Sequence, residues 1–197
     1  MGLFAATHVR RTIVALGLAG AAAVASAESG SFACASGSSI DCSAATSTLS
    51  WSWDGSHFTI SNSGSGYVSE VYFDLSGGMS ASFQGGTGGN VLFYSPASPA
   101  SLPGGASVGF VSDIGFDSDT QGNPHNGIDQ GETATFAISG AVAGSIDGGT
   151  LAAGIHVRSL PQDSASLVTA PVPEPETYAL LAAGLGAVGF VARRRKG

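Results

Sequence analysis

Residues 48–62 read TLSWSWDGSHFTISN, and this stretch decides the fold class. Leu49, Trp51 and Trp53 alternate with Ser50 and Ser52; beyond Asp54-Gly55, Phe58 and Ile60 alternate with His57 and Thr59. A period of two belongs to a strand, because successive side chains point to opposite faces. Two such runs about Asp-Gly predict a β-hairpin, whose tight turn needs a positive φ that glycine supplies without steric cost. Leu49 shares a face with both tryptophans, so the pair is expected in a core and not as exposed platforms for sugar rings.

Further β-prone runs lie at Tyr67–Leu75, Ser80–Phe83, Asn90–Tyr94, Ser107–Val111, Thr133–Ile138 and Ile155–Leu160. Between them are turn-rich stretches such as SGGMSASFQGGTGGN and SPASPASLPGG. Many short strands with this punctuation, no long amphipathic helix and no repeat of fixed period predict an antiparallel β-sandwich or jelly-roll-like domain. That domain is expected over residues 28–168, long enough for one core. It is expected between a signal peptide (1–27) and a C-terminal segment (169–197) holding a single transmembrane helix.

The N-terminal segment is MGLFAATHVRRTIVALGLAGAAAVASA. Arg10 and Arg11 form a basic start, an apolar run follows, and Ala25-Ser26-Ala27 offers the small residues that signal peptidase requires. Cleavage is expected between Ala27 and Glu28. The run is short for an N-terminal membrane anchor, and Thr12 after the arginine pair departs from twin-arginine export. Between Glu28 and Ala170 the chain then carries twelve acids and one base, Arg158, a net charge of −11. Such a body repels nucleic acid and attracts cations. Cys34 and Cys42 enclose ASGSSID; in an exported chain, close spacing across a flexible Gly/Ser loop predicts a disulfide.

Residues 111–132, VSDIGFDSDTQGNPHNGIDQGE, gather Asp113, Asp117, Asp119, Asp129 and Glu132. Carboxylates on flexible backbone are what Ca²⁺ asks for, but the calcium-loop pattern beginning at Asp117 fails at Ile128, where a bidentate acid is needed. Calcium binding and a plain polar turn region both remain open; no other cofactor is implied. Nucleophile elbows, metalloprotease helices and phosphate loops are absent, so no catalytic residue is assigned and the protein is not expected to be an enzyme. In GIHVRSL, Ile155 and Val157 take one face and His156 and Arg158 the other, where a lone histidine is normally solvated.

The chain closes with VPEPETYALLAAGLGAVGFVARRRKG. Pro171, Pro173 and Pro175 hold an extended rod free of competing pairing. Tyr178–Ala192 is 15 uncharged residues, about 22 Å of helix against about 30 Å of hydrocarbon, a marginal span. Arg193, Arg194, Arg195 and Lys196 form a basic stop that would stay cytoplasmic, leaving the body outside. Pro173-Glu174-Pro175, an apolar helix and an arginine cluster, in that order, resemble the PEP-CTERM sorting signal of Gram-negative bacteria. NGIDQGETATF and LAAGIHVRSLP are also similar to short proteins of that family. The resemblance implies an exosortase that reads Pro173, Glu174 and Pro175, passage through the inner membrane, and delivery to the cell surface or medium. It also implies a non-enzymatic surface or matrix protein associated with exopolysaccharide in a biofilm, with signal peptidase as a further partner. The alternative is a carbohydrate-binding or hydrolytic module delivered by the same tail.

Overall fold

The computed structural model describes residues 27–118, 126–141, 145–146, 149–170 and 185. Within them the chain is mostly antiparallel β-structure with little helix. β1 (Glu28–Gly37) leads through a short helix α1 (Ser39–Thr46) to the hairpin of β2 (Leu49–Trp53) and β3 (His57–Asn62). β4 (Tyr67–Leu75), β5 (Ser80–Thr87) and β6 (Ile114–Asp117) follow, then β7 (Thr133–Ser139), β8 (Leu151–Arg158) and β9 (Ala165–Thr169).

The nine strands form one sheet in the order β5-β7-β3-β2-β1-β9-β8-β4-β6. β1 is shared between two leaves: Glu28–Ser31 pair with β2, and Phe32–Gly37 pair with β9. The front leaf, β5-β7-β3-β2-β1, and the back leaf, β1-β9-β8-β4-β6, pack their inner faces on a common core. A sandwich of two sheets was expected; the antiparallel class holds, but the leaves are continuous through β1, giving a single, nearly closed sheet.

Aromatic side chains join the leaves. Phe58 of the front leaf meets Phe73 of the back leaf edge-on at 5.6 Å between centroids, and Phe116 meets Phe136 at 5.1 Å. Trp51, Trp53, Phe58, Phe73 and Phe136 are each at most 2% exposed, and burial of such side chains stabilises by roughly 1.5–3 kcal/mol apiece. The hairpin forms as its alternation predicts: the Asp54 N–H donates to the His57 carbonyl (3.3 Å), and Gly55 has φ of 95°.

Elsewhere the chain departs from its local signals. Ser107–Val111 is not a strand; a 3₁₀ turn occupies Gly105–Val108 between Gly104 and Gly109, whose φ values of 74° and 77° close it off. Asn90–Tyr94 is not a ladder strand: Tyr94 bridges to Asp117 and the Leu92 N–H donates to the Asn126 carbonyl (2.9 Å), while Val91 and Phe93 plug the core. The flexible loop expected between the cysteines is instead the end of β1 and the first turn of α1, whose Asp41 N–H donates to the Ser38 hydroxyl (3.1 Å). Residues 94–112 lie across the outer face of the back leaf, where Ala97, Leu102 and Phe110 pack on Tyr72. Gly154 permits this approach, since a Cβ there would stand 2.7 Å from Leu102 Cδ2. With both faces covered, β4 is buried without interruption from Val68 to Phe73.

Candidate functional site

The tail leaves the body where β1 changes partners. Ala170, just beyond β9, donates its N–H to the Ser31 carbonyl (3.2 Å), and Phe32 pairs with Thr169. Glu28, the expected first residue of the mature protein, opens β1 three residues earlier. Most of the expected signal peptide, the sorting residues Pro173, Glu174 and Pro175, and the basic Arg193–Lys196 lie outside the described residues. The proposed membrane segment does too, apart from Leu185; among the described residues no helix is long and apolar enough to cross a membrane. Cys34 and Cys42 form a disulfide, Cα to Cα 5.6 Å, which ties α1 back onto β1.

The acidic residues of 111–132 go to separate tasks. Asp113 accepts the Leu75 N–H (2.7 Å) beside the end of β4, and Asp117 accepts the Ser98 N–H (3.3 Å) beneath the covering segment. Asp129 and Glu132 share a turn in which the Glu132 carboxylate accepts the Asp129 N–H (2.9 Å). Asp119 lies outside the described residues. Among the described residues no group of three or more His, Cys, Asp or Glu side chains is placed to hold a metal ion.

A polar row does cross the outer face of the back leaf. Cross-strand register aligns Asp117, Glu70, His156 and Ser166 on β6, β4, β8 and β9. Glu70 is wholly buried; it pairs with the Arg158 guanidinium and accepts the Ser69 hydroxyl (3.1 Å). Burial pushes its carboxyl up to about 7, against the pull of Arg158 and Ser69 and with a further push from Asp117. The His156 Nδ1 lies 2.9 Å from the Ser166 hydroxyl, and burial together with Arg158 lowers its pKa, Asp163 opposing. Histidine beside serine is a nucleophile-and-base pair in outline. Here, however, Ser166 has no exposed surface to meet a substrate. His156 is therefore half-buried in a network and not solvated as expected. The alternation in GIHVRSL gave its face, but its partners sit on strands far off in sequence.

The front leaf carries a second regular feature on its open outer face. One register row runs Ser31, Ser50, Ser61, Thr133, Thr87 across five strands. The next runs Ser29, Ser52, Thr59, Thr135, Gly85. Nine of these ten residues bear a hydroxyl and none a charge, which makes the two rows neutral on an acidic body, with the Asp54–His57 pair at the hairpin end beyond them. Thr59 and Thr135 join hydroxyls at 3.1 Å, and Thr87 and Thr133 at 2.6 Å. At the β5 edge the rows run into a shallow cavity of about 210 Å³ lined by Gln84, Gly85, Gly86, Thr87 and Thr135. The outward serines of LSWSW and threonines of HFTIS and TATF were legible, but their alignment into rows needs the strand order.

A family model described as the PEP-CTERM protein-sorting motif matches residues 171–196. No curated protein and no solved structure shows significant similarity to the chain. The matched residues hold Pro173-Glu174-Pro175, the apolar run and the basic cluster, and begin one residue after the chain leaves the folded body. The chain therefore carries a PEP-CTERM protein-sorting motif, which implies a secreted protein processed by an exosortase at the cell envelope or surface.

Proposed function

We propose that the protein is a non-enzymatic surface or extracellular-matrix component that associates with exopolysaccharide. In this reading the exosortase removes the tail after a transient stay in the inner membrane. The sorting motif at residues 171–196 carries the reading. Physical chemistry supports the order of events. Three alternating prolines present Glu174 on an extended segment that an enzyme can bind without unfolding it. The apolar run beyond is short and interrupted by Gly184, Gly186 and Gly189, which suits temporary retention better than lasting anchorage. The β-body is expected to persist as a folded unit after release, being closed by its own core.

Intact mass of the protein from cells and from culture medium tests this. Wild-type protein in the medium should begin at Glu28 and lack the tail. Glu174→Ala should remain in the inner membrane at nearly full length. Full-length protein in the membrane of wild-type cells, unaffected by Glu174→Ala, would show a plain anchor instead.

A further inference from the structure

We propose that the outer face of the front leaf binds an uncharged polysaccharide, one sugar unit seated in the Gln84–Thr87 cavity and the chain continuing over the hydroxyl rows. This rests on the reading that the protein works among exopolysaccharide, and adds to it the place and the class of polymer.

The two leaves treat their outer faces differently. The back leaf is sealed by residues 94–112, with Ala97, Leu102 and Phe110 packed on it. On the front leaf Ser50, Ser52, Ser82 and Thr87 are exposed, so its chemistry is offered to solvent. Each hydroxyl there donates one hydrogen bond and accepts two, as sugar hydroxyls do, so either partner can adapt to the other. The rows repeat at about 4.8 Å from strand to strand and about 6.8 Å along a strand, a grid that a polymer can follow and a compact ligand cannot use.

The cavity fixes one point on this grid. Gln84, Thr87 and Thr135 stand in its lining, with the Gln84 amide donating to the Ser82 hydroxyl (3.1 Å) and the two threonine hydroxyls joined to those of Thr133 and Thr59. Gly85 lies in its lining with φ of 147°, and a Cβ there would meet nothing within 4 Å, so the space above the backbone is open. At about 210 Å³ it is smaller than the roughly 300–1,000 Å³ of sites that enclose a whole small ligand. It fits a unit of a chain that enters and leaves. Charge selects the polymer. The rows carry none, and the surrounding body holds twelve acids to one base, so a uronate or sulfated chain is repelled.

Affinity electrophoresis of the protein recovered from the medium tests the assignment, with soluble mixed-linkage β-glucan or galactomannan in the gel against alginate. At least one neutral polymer should retard the wild type, and alginate should not. Thr59→Val with Thr135→Val removes a hydroxyl pair while keeping shape and strand preference; combined with Gln84→Ala it should raise Kd at least tenfold. Fluorescence of the buried Trp51 and Trp53 reports whether the variant folds, and Thr87→Val alone serves if it does not. Equal retardation of a folded variant places binding elsewhere and overturns this surface while exopolysaccharide association stands. Retardation by alginate alone overturns the charge argument in the same way. No retardation by any polymer overturns both.

Discussion

Glu70 has no exposed surface, so its charge depends wholly on its neighbours. Arg158 and Ser69 favour the carboxylate, while burial and Asp117 favour the acid, and the balance lies near neutrality at about 7. The unfolded chain releases this proton near 4.5, so between 4.5 and 7 the folded protein holds a proton that the unfolded one has lost. Stability from this group is full below about 4.5 and is lost as pH rises through 7. His156 works in the opposite sense: its ring is kept neutral, and its contribution falls away only below its ordinary value of 6.5. Urea midpoints measured from pH 6.5 to 8.5 therefore isolate Glu70. The midpoint should fall with rising pH in the wild type and stay level in Glu70→Gln. A level wild-type profile would mean that Glu70 stays ionised throughout. Arg158→Met, which leaves the buried carboxyl without its cation, should cost about 2 kcal/mol at pH 8, below the 3–5 expected for a fully buried pair because Arg158 is half-exposed. Of this arrangement the sequence showed only that His156 and Arg158 share a face; Glu70 stands 88 residues from Arg158, and no local pattern links them.

Among the elements, legibility followed the strength of alternation. β2, β3 and β7 alternate buried and outward residues strictly, and β4 is a run long enough to stand out. β6 has only four residues and β9, ASLVT, shows no alternation; β9 exists because β1 and β8 flank it, and β6 because β4 pairs with it on one side while Tyr94 and Ala97 bond to it on the other. β1, ESGSFACASG, brings only Phe32 to the core and was hidden by its small side chains. α1 has no apolar stripe; Ser38 with Asp41 three residues on was its one signal, a cap without an amphipathic face behind it. The disulfide compensates for that weakness by fixing α1 to β1 across eight residues. Alkylation of the exported protein without reductant should label neither cysteine. Cys34→Ser with Cys42→Ser should lower stability by about 2 kcal/mol, modest because the closed loop is short. A loss that unfolds the domain would show that the bond holds more than this corner.

At the level of the molecule, the sequence suggested an export signal, a body and a tail, and the tail carries the matched sorting motif. The body's role was not legible, because its distinguishing surface is made by register between strands far apart in the chain. The basic cluster gives a prediction at this scale. Deleting Arg193–Lys196 removes the charges proposed to hold the tail at the cytoplasmic face, so the protein should appear in the medium with its tail intact. Continued trimming of that variant would mean that the exosortase needs no stop. The position of β9 has a consequence in time. It lies between β1 and β8, and without it the sheet falls into two pieces, β5-β7-β3-β2-β1 and β8-β4-β6. If the chain is exported N-terminus first, β9 is the last of the described strands to emerge, immediately ahead of the residues that form the sorting motif. The body can therefore finish folding only when its sorting segment is about to leave the translocation channel, and closure of the sheet and arrival of the exosortase substrate become consecutive events.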